Sequence, residues 1–265
     1  PQDLEVRDLT VEGAAGPLKA RLYTPKDASE TGPGLVYFHG GGYVIGDLDT
    51  HDAFLRRLAA ASGVKVLSVD YRLAPEHPFP AALDDGLAAT RWAFDHAEEI
   101  GFDRGKIAVG GDSAGGNLSA YLGLEMRNDP ERKIAFQLLL YPATAMEQQT
   151  QSREELADGY VLTREAMEWF AGHFAVQGHP EQHRAEPGMA DDVSGAPPAL
   201  VVTAGYDPLK DEGKAYAEKL GAAGVKVQHI EYESLMHDFY LLAHVSPKVI
   251  EAIEETAQAL KTALA

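Results

Sequence analysis

Ser113 lies in Gly111-Asp112-Ser113-Ala114-Gly115, a Gly-x-Ser-x-Gly pattern between two runs of different character. Lys106 to Val109 is a short apolar run suited to a buried strand. Ser113 to Arg127 carries Leu118, Tyr121, Leu122 and Met126 at helical spacing. A serine on so tight a strand-to-helix turn is held at a strained backbone angle, where side chains two residues away would collide. Glycine at both places removes the collision. Such a serine becomes a nucleophile only if a base takes its proton and a third group holds that base in the right tautomer. The backbone N–H of Ala114 would face the same spot. The pattern also occurs in plain turns, so the other groups decide.

His39-Gly40-Gly41-Gly42-Tyr43 follows the apolar run Leu35 to Phe38 directly. Consecutive glycines cost backbone entropy and mark a place where the chain bends or is approached closely. Here the N–H groups of Gly41 and Gly42 could join that of Ala114 around a developing alkoxide. Losing one such donor typically costs ~3 kcal/mol of barrier. The competing reading is a phosphate loop. The dinucleotide pattern fails because Ile45 stands where a third glycine is needed, and Gly110 to Gly115 is followed by Gly116-Asn117 rather than Lys-Ser/Thr.

Among the histidines, His229 falls within the last predicted strand, His244 at the start of the final helix and His173 in an inserted helix. His179 and His183 have the spacing of a helical metal pair, but Pro180 stands where the metalloprotease pattern needs Glu, so no metal site is expected. His237 follows the final strand in Leu235-Met236-His237-Asp238-Phe239 and is the expected base. Asp207, in Gly205-Tyr206-Asp207-Pro208-Leu209, ends the preceding strand and is the expected orienting acid. An Asp before Pro is also a sound helix N-cap, and the two roles are compatible. Ser113, Asp207, His237 is the chain order nucleophile, acid, base of α/β hydrolases. Asp84 and Asp85 are adjacent on a helix, point apart and read as structural. Asp211 and Glu212 are expected to face solvent. Tyr43, Asp112, Leu209 and Phe170, with Trp169, are the candidates for the substrate pocket.

These residues need a scaffold. Leu4 to Glu12 and Leu18 to Tyr23 alternate as a hairpin of half-buried strands. Leu35–Phe38, Val64–Val69, Lys106–Val109, Ile134–Tyr141, Pro198–Ala204 and Val225–Tyr232 read as buried strands. Helical stretches fall at Asp52–Ala61, Ala82–Glu99, Ser113–Arg127, Pro208–Gly221 and Ser246–Leu264. Alternation of this kind implies an α/β fold: one domain over 1–265, with a mostly parallel sheet of about eight strands, an antiparallel edge and helices on both faces. Catalytic groups in such sheets gather beyond the carboxyl ends of the strands. About 145–195, helical around Arg164 to Phe174, interrupts the alternation and reads as a lid.

The bulk numbers exclude several classes. A formal charge of −18 over 265 residues leaves no basic stripe for nucleic acid. With no cysteine there is no disulfide and no thiolate chemistry. No apolar stretch approaches the ~20 residues of a membrane span. The start at Pro1 lacks the basic and apolar regions of a signal peptide, so a cytoplasmic location is expected.

Together, the His39–Gly42 and Gly111–Gly115 motifs, Asp70-Tyr71-Arg72-Leu73-Ala74-Pro75-Glu76-His77-Pro78-Phe79-Pro80-Ala81-Ala82 and Tyr206-Asp207-Pro208-Leu209-Lys210-Asp211-Glu212-Gly213 resemble the hormone-sensitive-lipase-like branch of the α/β hydrolases, the bacterial family IV esterases. The similarity runs from about Leu4 to Phe239. The resemblance implies a serine carboxylesterase acting on short- to medium-chain acyl esters, small molecules, without a cofactor. Ser113 would be nucleophile, His237 base and Asp207 acid, with Gly41, Gly42 and Ala114 as oxyanion hole. It also implies a homodimer through the last-strand edge. The competing readings are a non-catalytic small-molecule-binding protein of the same fold, or an amidase, deacetylase or acyltransferase using the same triad. Two departures stand out. The family usually reads His-Gly-Phe around its base, where this chain has His237-Asp238-Phe239. The helical cap that usually precedes the first strand is not in the sequence, so a more open site and an exposed apolar patch are expected.

Overall fold

A computed structural model describes residues 4–265. The apolar runs become an eight-stranded sheet in the order β1-β2-β4-β3-β5-β6-β7-β8. β1 (Leu4–Gly13) and β2 (Gly16–Pro25) form the antiparallel edge. β2 is also antiparallel to β4 (Lys65–Val69). β3 (Gly32–Phe38), β5 (Phe102–Asp112), β6 (Phe136–Leu140), β7 (Ala199–Tyr206) and β8 (Val227–Met236) continue it in parallel from β4. Every residue of β4 and β6 is buried. That is why these strands read as unbroken apolar runs rather than as alternation.

Both faces are covered. Leu35, Tyr37, Leu138 and Val202 point to a core shared with α1 (Asp52–Ser62) and α7 (Pro247–Ala263). Val36, Phe38, Leu67 and Val109 point the other way, onto α2 (Ala81–Asp95) and α3 (Ala114–Glu125). Leu139 and Val201 meet α6 (Lys210–Ala222) on that second face, following the next-residue alternation of a pleated strand. Gly63, left-handed at φ 71°, ends α1 with its N–H on the Ala59 carbonyl.

Between β6 and β7 the chain makes its long excursion. The expected helix is α5 (Arg164–Phe174), capped by the Thr163 side chain on the Ala166 N–H. A short α4 (Gln151–Glu155), capped by Thr150, precedes it, and two 3₁₀ turns follow. Other boundaries differ from expectation. α2 stops at Asp95 because the chain turns back through Gly101, left-handed at φ 70°, into β5. β8 runs four residues beyond Tyr232, to Met236, by continuing to pair with β7 across a register shift.

The carboxylates on helices sort by what covers them. Asp85 is fully buried and accepts from the Arg72 side chain and backbone N–H and from the Ala14 N–H, while Asp84 turns to Arg184. The pair does point apart. Glu212 corrects the expectation of solvent exposure. It is 1 % exposed and takes the Thr144 and Ala145 N–H groups on Oε1 and the Arg153 guanidinium on Oε2, at 2.7 and 2.8 Å. Asp211 is half-buried and accepts the Ser152 N–H. The excursion is laid over this helix and pinned to it.

Breaking a buried ion pair by removing one partner leaves an uncompensated charge and typically costs ~3 kcal/mol or more. Glu212→Gln should therefore lower unfolding free energy by about that amount, read by urea denaturation, with proteolysis appearing first within the excursion. A change below about 0.5 kcal/mol, the size of an ordinary surface substitution, would show that the pair does not hold it.

Candidate active site

Four parallel strands end on one side of the sheet. β3 delivers His39 to Gly42, β5 delivers Ser113, β7 delivers Asp207 and β8 delivers His237. Ser113 has φ 54° and ψ −115°, strained for a residue with a side chain, and immediately precedes α3. Its carbonyl accepts the N–H groups of Asn117 and Ala143, and its own N–H reaches the Leu140 carbonyl at 2.9 Å, so the turn is over-determined. A Cβ on Gly111 or Gly115 would run into the Phe38 carbonyl of β3. The glycines thus serve the approach of the neighbouring strand as well as the turn itself.

The three predicted chemical residues meet. His237 Nε2 lies 2.9 Å from Ser113 Oγ, and Nδ1 lies 2.7 Å from Asp207 Oδ2. With Nδ1–H donating to the carboxylate, Nε2 is left as acceptor for the serine hydroxyl. Asp207 is fully buried and its Oδ1 accepts the Leu209 N–H at 2.8 Å, just ahead of α6. It therefore both braces the helix start and faces the imidazole. Burial pulls the His237 imidazole down, but Asp207 and then Asp238 outweigh it and push it up to about 9. The Asp238 carboxylate lies 3.5 Å from Nε2.

Gly41 and Gly42, at φ +110° and +60°, line the same cavity as Ser113 and Ala114. Ala114 is the first residue of α3, where a helix leaves its N–H groups without intrahelical acceptors. A Cβ on Gly42 would enter the Phe170 ring of α5, so the glycine loop and the excursion touch where only glycine fits. The cavity, ≈ 270 Å³, is mainly apolar. Phe170, Leu209 and Tyr43 all line it. Tyr43 is a fixed wall: its ring stacks on Phe174 at 4.2 Å and its hydroxyl donates to Asn117 at 2.6 Å. Trp169 is half exposed and packs edge-on against Phe170 without lining the cavity. Ile45 and Val161, about half exposed, make an apolar mouth.

Asp112 departs from the expected pocket role: its side chain is buried behind the glycine loop and does not line the cavity. There it accepts from the Tyr37 hydroxyl at 2.5 Å, from the Gly40 N–H at 3.1 Å and faces His51 Nε2 at 3.1 Å. Burial would raise this carboxyl, yet His51 and Tyr37 hold it below its usual range. Beside it, His39 stacks on Tyr71 at 4.5 Å with Nδ1 on the Gly40 carbonyl, and burial depresses it to about 4. Nothing in the sequence singles out His51 or Arg153; Asp49-Thr50-His51 ahead of a helix carries no distinctive spacing. Arg153 lines the cavity, but Glu212 engages its guanidinium. His229 bonds Thr203 Oγ1 on β7, and His179 accepts the Glu181 N–H. No helix among the described residues is long and apolar enough to cross a membrane.

The chain is similar to known proteins in sequence and fold. A family profile described as alpha/beta hydrolase fold matches residues 35–241. Esterase LipI of Mycobacterium tuberculosis is 44% identical over 99% of this chain and 83% of its own length. An ethyl acetate hydrolase of Pseudomonas putida is 38% identical over 92% of this chain and 78% of its own. Among solved structures, an alpha/beta hydrolase from the metagenome of Lake Arreo, Spain, superposes with TM-score 0.95 at 43% identity, covering 99% of this chain and 83% of that one. The hyperthermophilic esterase of Pyrobaculum calidifontis gives 0.92 at 42%, covering 98% and 87%. With the fold, the Ser113–His237–Asp207 geometry and these relatives in agreement, the chain belongs to the α/β-hydrolase-fold carboxylesterases.

Proposed function

We propose that the protein hydrolyses short- to medium-chain acyl esters through an acyl-enzyme on Ser113. The observation that carries this reading is the unbroken hydrogen-bonded run from Ser113 Oγ through His237 to Asp207 at 2.9 and 2.7 Å, opening on an apolar cavity. Ser113 Oγ attacks the ester carbonyl as His237 Nε2 takes its proton, and Asp207 stabilises the imidazolium. The carbonyl oxygen, now an alkoxide, is held by the N–H groups of Gly41, Gly42 and Ala114. His237 returns the proton to the departing alcohol, leaving the acyl group on Ser113, and water repeats the sequence to release the acid. The modest cavity volume and the ethyl acetate named for the Pseudomonas putida relative support small esters. The β6–β7 excursion acts as the lid of a single 1–265 domain, its Phe170 lying over the glycine loop.

In Ser113→Ala, turnover of 4-nitrophenyl acetate and butyrate should drop at least ~10⁴-fold with the thermal midpoint retained. Undiminished turnover would sink the assignment.

The base works only when the imidazole is neutral. With His237 held up to about 9, kcat/KM should climb roughly tenfold per pH unit below that value and level off above it. Removing the Asp238 charge takes away one of the groups that raise His237, so the limb should move to lower pH in Asp238→Asn. A profile already flat at pH 7, or a limb unmoved by the substitution, would contradict this account.

Among the described residues β8 pairs only with β7 and its far edge has no strand beside it, which supports a homodimer joined there. Size-exclusion chromatography with light scattering should return twice the 28.6 kDa chain mass, and Ile230→Pro on β8 should reduce it to one. A native chain that elutes at the monomer mass would dismiss the dimer.

A further inference from the structure

At φ 60° Asp238 sits in the left-handed region, which glycine enters freely and, among residues with a Cβ, Asn and Asp most readily. Its carboxylate faces the cavity, about a third exposed, 3.5 Å from the nitrogen of His237 that also faces Ser113 Oγ. Among the described residues it has no Lys or Arg partner and accepts no well-formed hydrogen bond. The cavity's one guanidinium, Arg153, is neutralised by Glu212. When the imidazole is neutral and able to take the serine proton, Asp238 therefore leaves the reaction chamber with a net negative charge on otherwise apolar walls.

That charge is placed on one side of the substrate. The departing alcohol oxygen must come within hydrogen-bond reach of His237 Nε2, roughly 3 Å. A carboxylate 3.5 Å from the same nitrogen is then at most roughly 6.5 Å from that oxygen. Carbons attached to that oxygen then fall within reach of Asp238, whereas the acyl chain extends from the carbonyl carbon bonded to Ser113. Resting on the ester-hydrolase reading above, we propose that Asp238 is a specificity-determining residue that favours esters of cationic alcohols over neutral ones and disfavours anionic ones. A quaternary or protonated ammonium two carbons from the ester oxygen has the right reach, and its desolvation is offset by the carboxylate.

The test compares acetylcholine with 3,3-dimethylbutyl acetate, its uncharged carbon isostere, at pH 8 and low ionic strength. The ratio of their kcat/KM values cancels changes in His237, which affect both esters alike. The unmodified protein should favour the cation about fivefold, and the preference should shrink as salt is added. In Asp238→Asn and in Asp238→Gly, which relieves the backbone, the ratio should fall towards one. If one variant does not fold, the other and the salt series still decide. A ratio unchanged in the variants and insensitive to salt, or a preference for the neutral isostere in the unmodified protein, would overturn the proposal. Hydrolysis of the neutral ester without cation preference removes only this inference. Failure to cleave either ester or 4-nitrophenyl acetate removes the hydrolase reading, and this inference with it.

Discussion

The buried carboxylate of Asp112 is the constraint on which the site rests. It leaves β5 one residue before Ser113 and binds Tyr37 within β3, the Gly40 N–H beyond it and His51 just ahead of α1. The strained serine turn and the glycine loop come from different strands, yet must hold a fixed separation to within a fraction of an ångström for donors to meet one oxygen. A carboxylate in a dry interior tolerates no loss of partners. Any shift of the loop away from the turn would strand it, which makes the separation stiff. The stacked His39–Tyr71 pair, with the Tyr71 hydroxyl on the His39 carbonyl, backs the loop from the other side.

Electrostatically the site favours a cation at His237. Asp207, Asp238 and Asp112 all favour the protonated His237 against the pull of burial. On the proposed mechanism, the same field that lowers the cost of forming imidazolium during attack makes the resting imidazolium harder to deprotonate. Asp207 contributes through direct contact and orientation. Asp238 contributes charge from the cavity side, where it also meets whatever enters.

How much of this was legible depended on whether a residue's role is set by its neighbours in sequence. That Ser113, Asp207 and His237 meet could be read because each follows a strand end, and parallel strands bring their ends to one place. Gly111, Gly115 and the glycine loop could be read because their backbone demands are local. Glu212 could not: in the first turn of a helix, beside Asp211 and ahead of Lys214, its surroundings in sequence are those of a solvated residue. Only the excursion folding across α6 buries it. Asp112 looked like a pocket residue because it adjoins the nucleophile, but the turn that projects Ser113 outward sends its predecessor inward. His51 and Arg153 find partners 61 and 59 residues away, respectively, at distances that no periodicity reports.

Ser113 and His237 are 124 positions apart, and Asp207 reaches its partner across 30. Between Ser113 and His237 the chain must lay down β6, the whole excursion, β7 and β8 in parallel order, each closing a long loop before its contacts repay the lost entropy. No fragment ending before β8 contains a working set of groups, and no early, partly paired sheet can hold one. On the proposed mechanism, competence is thus tied to the last strand joining the sheet, and a growing or refolding chain stays chemically silent until that strand docks.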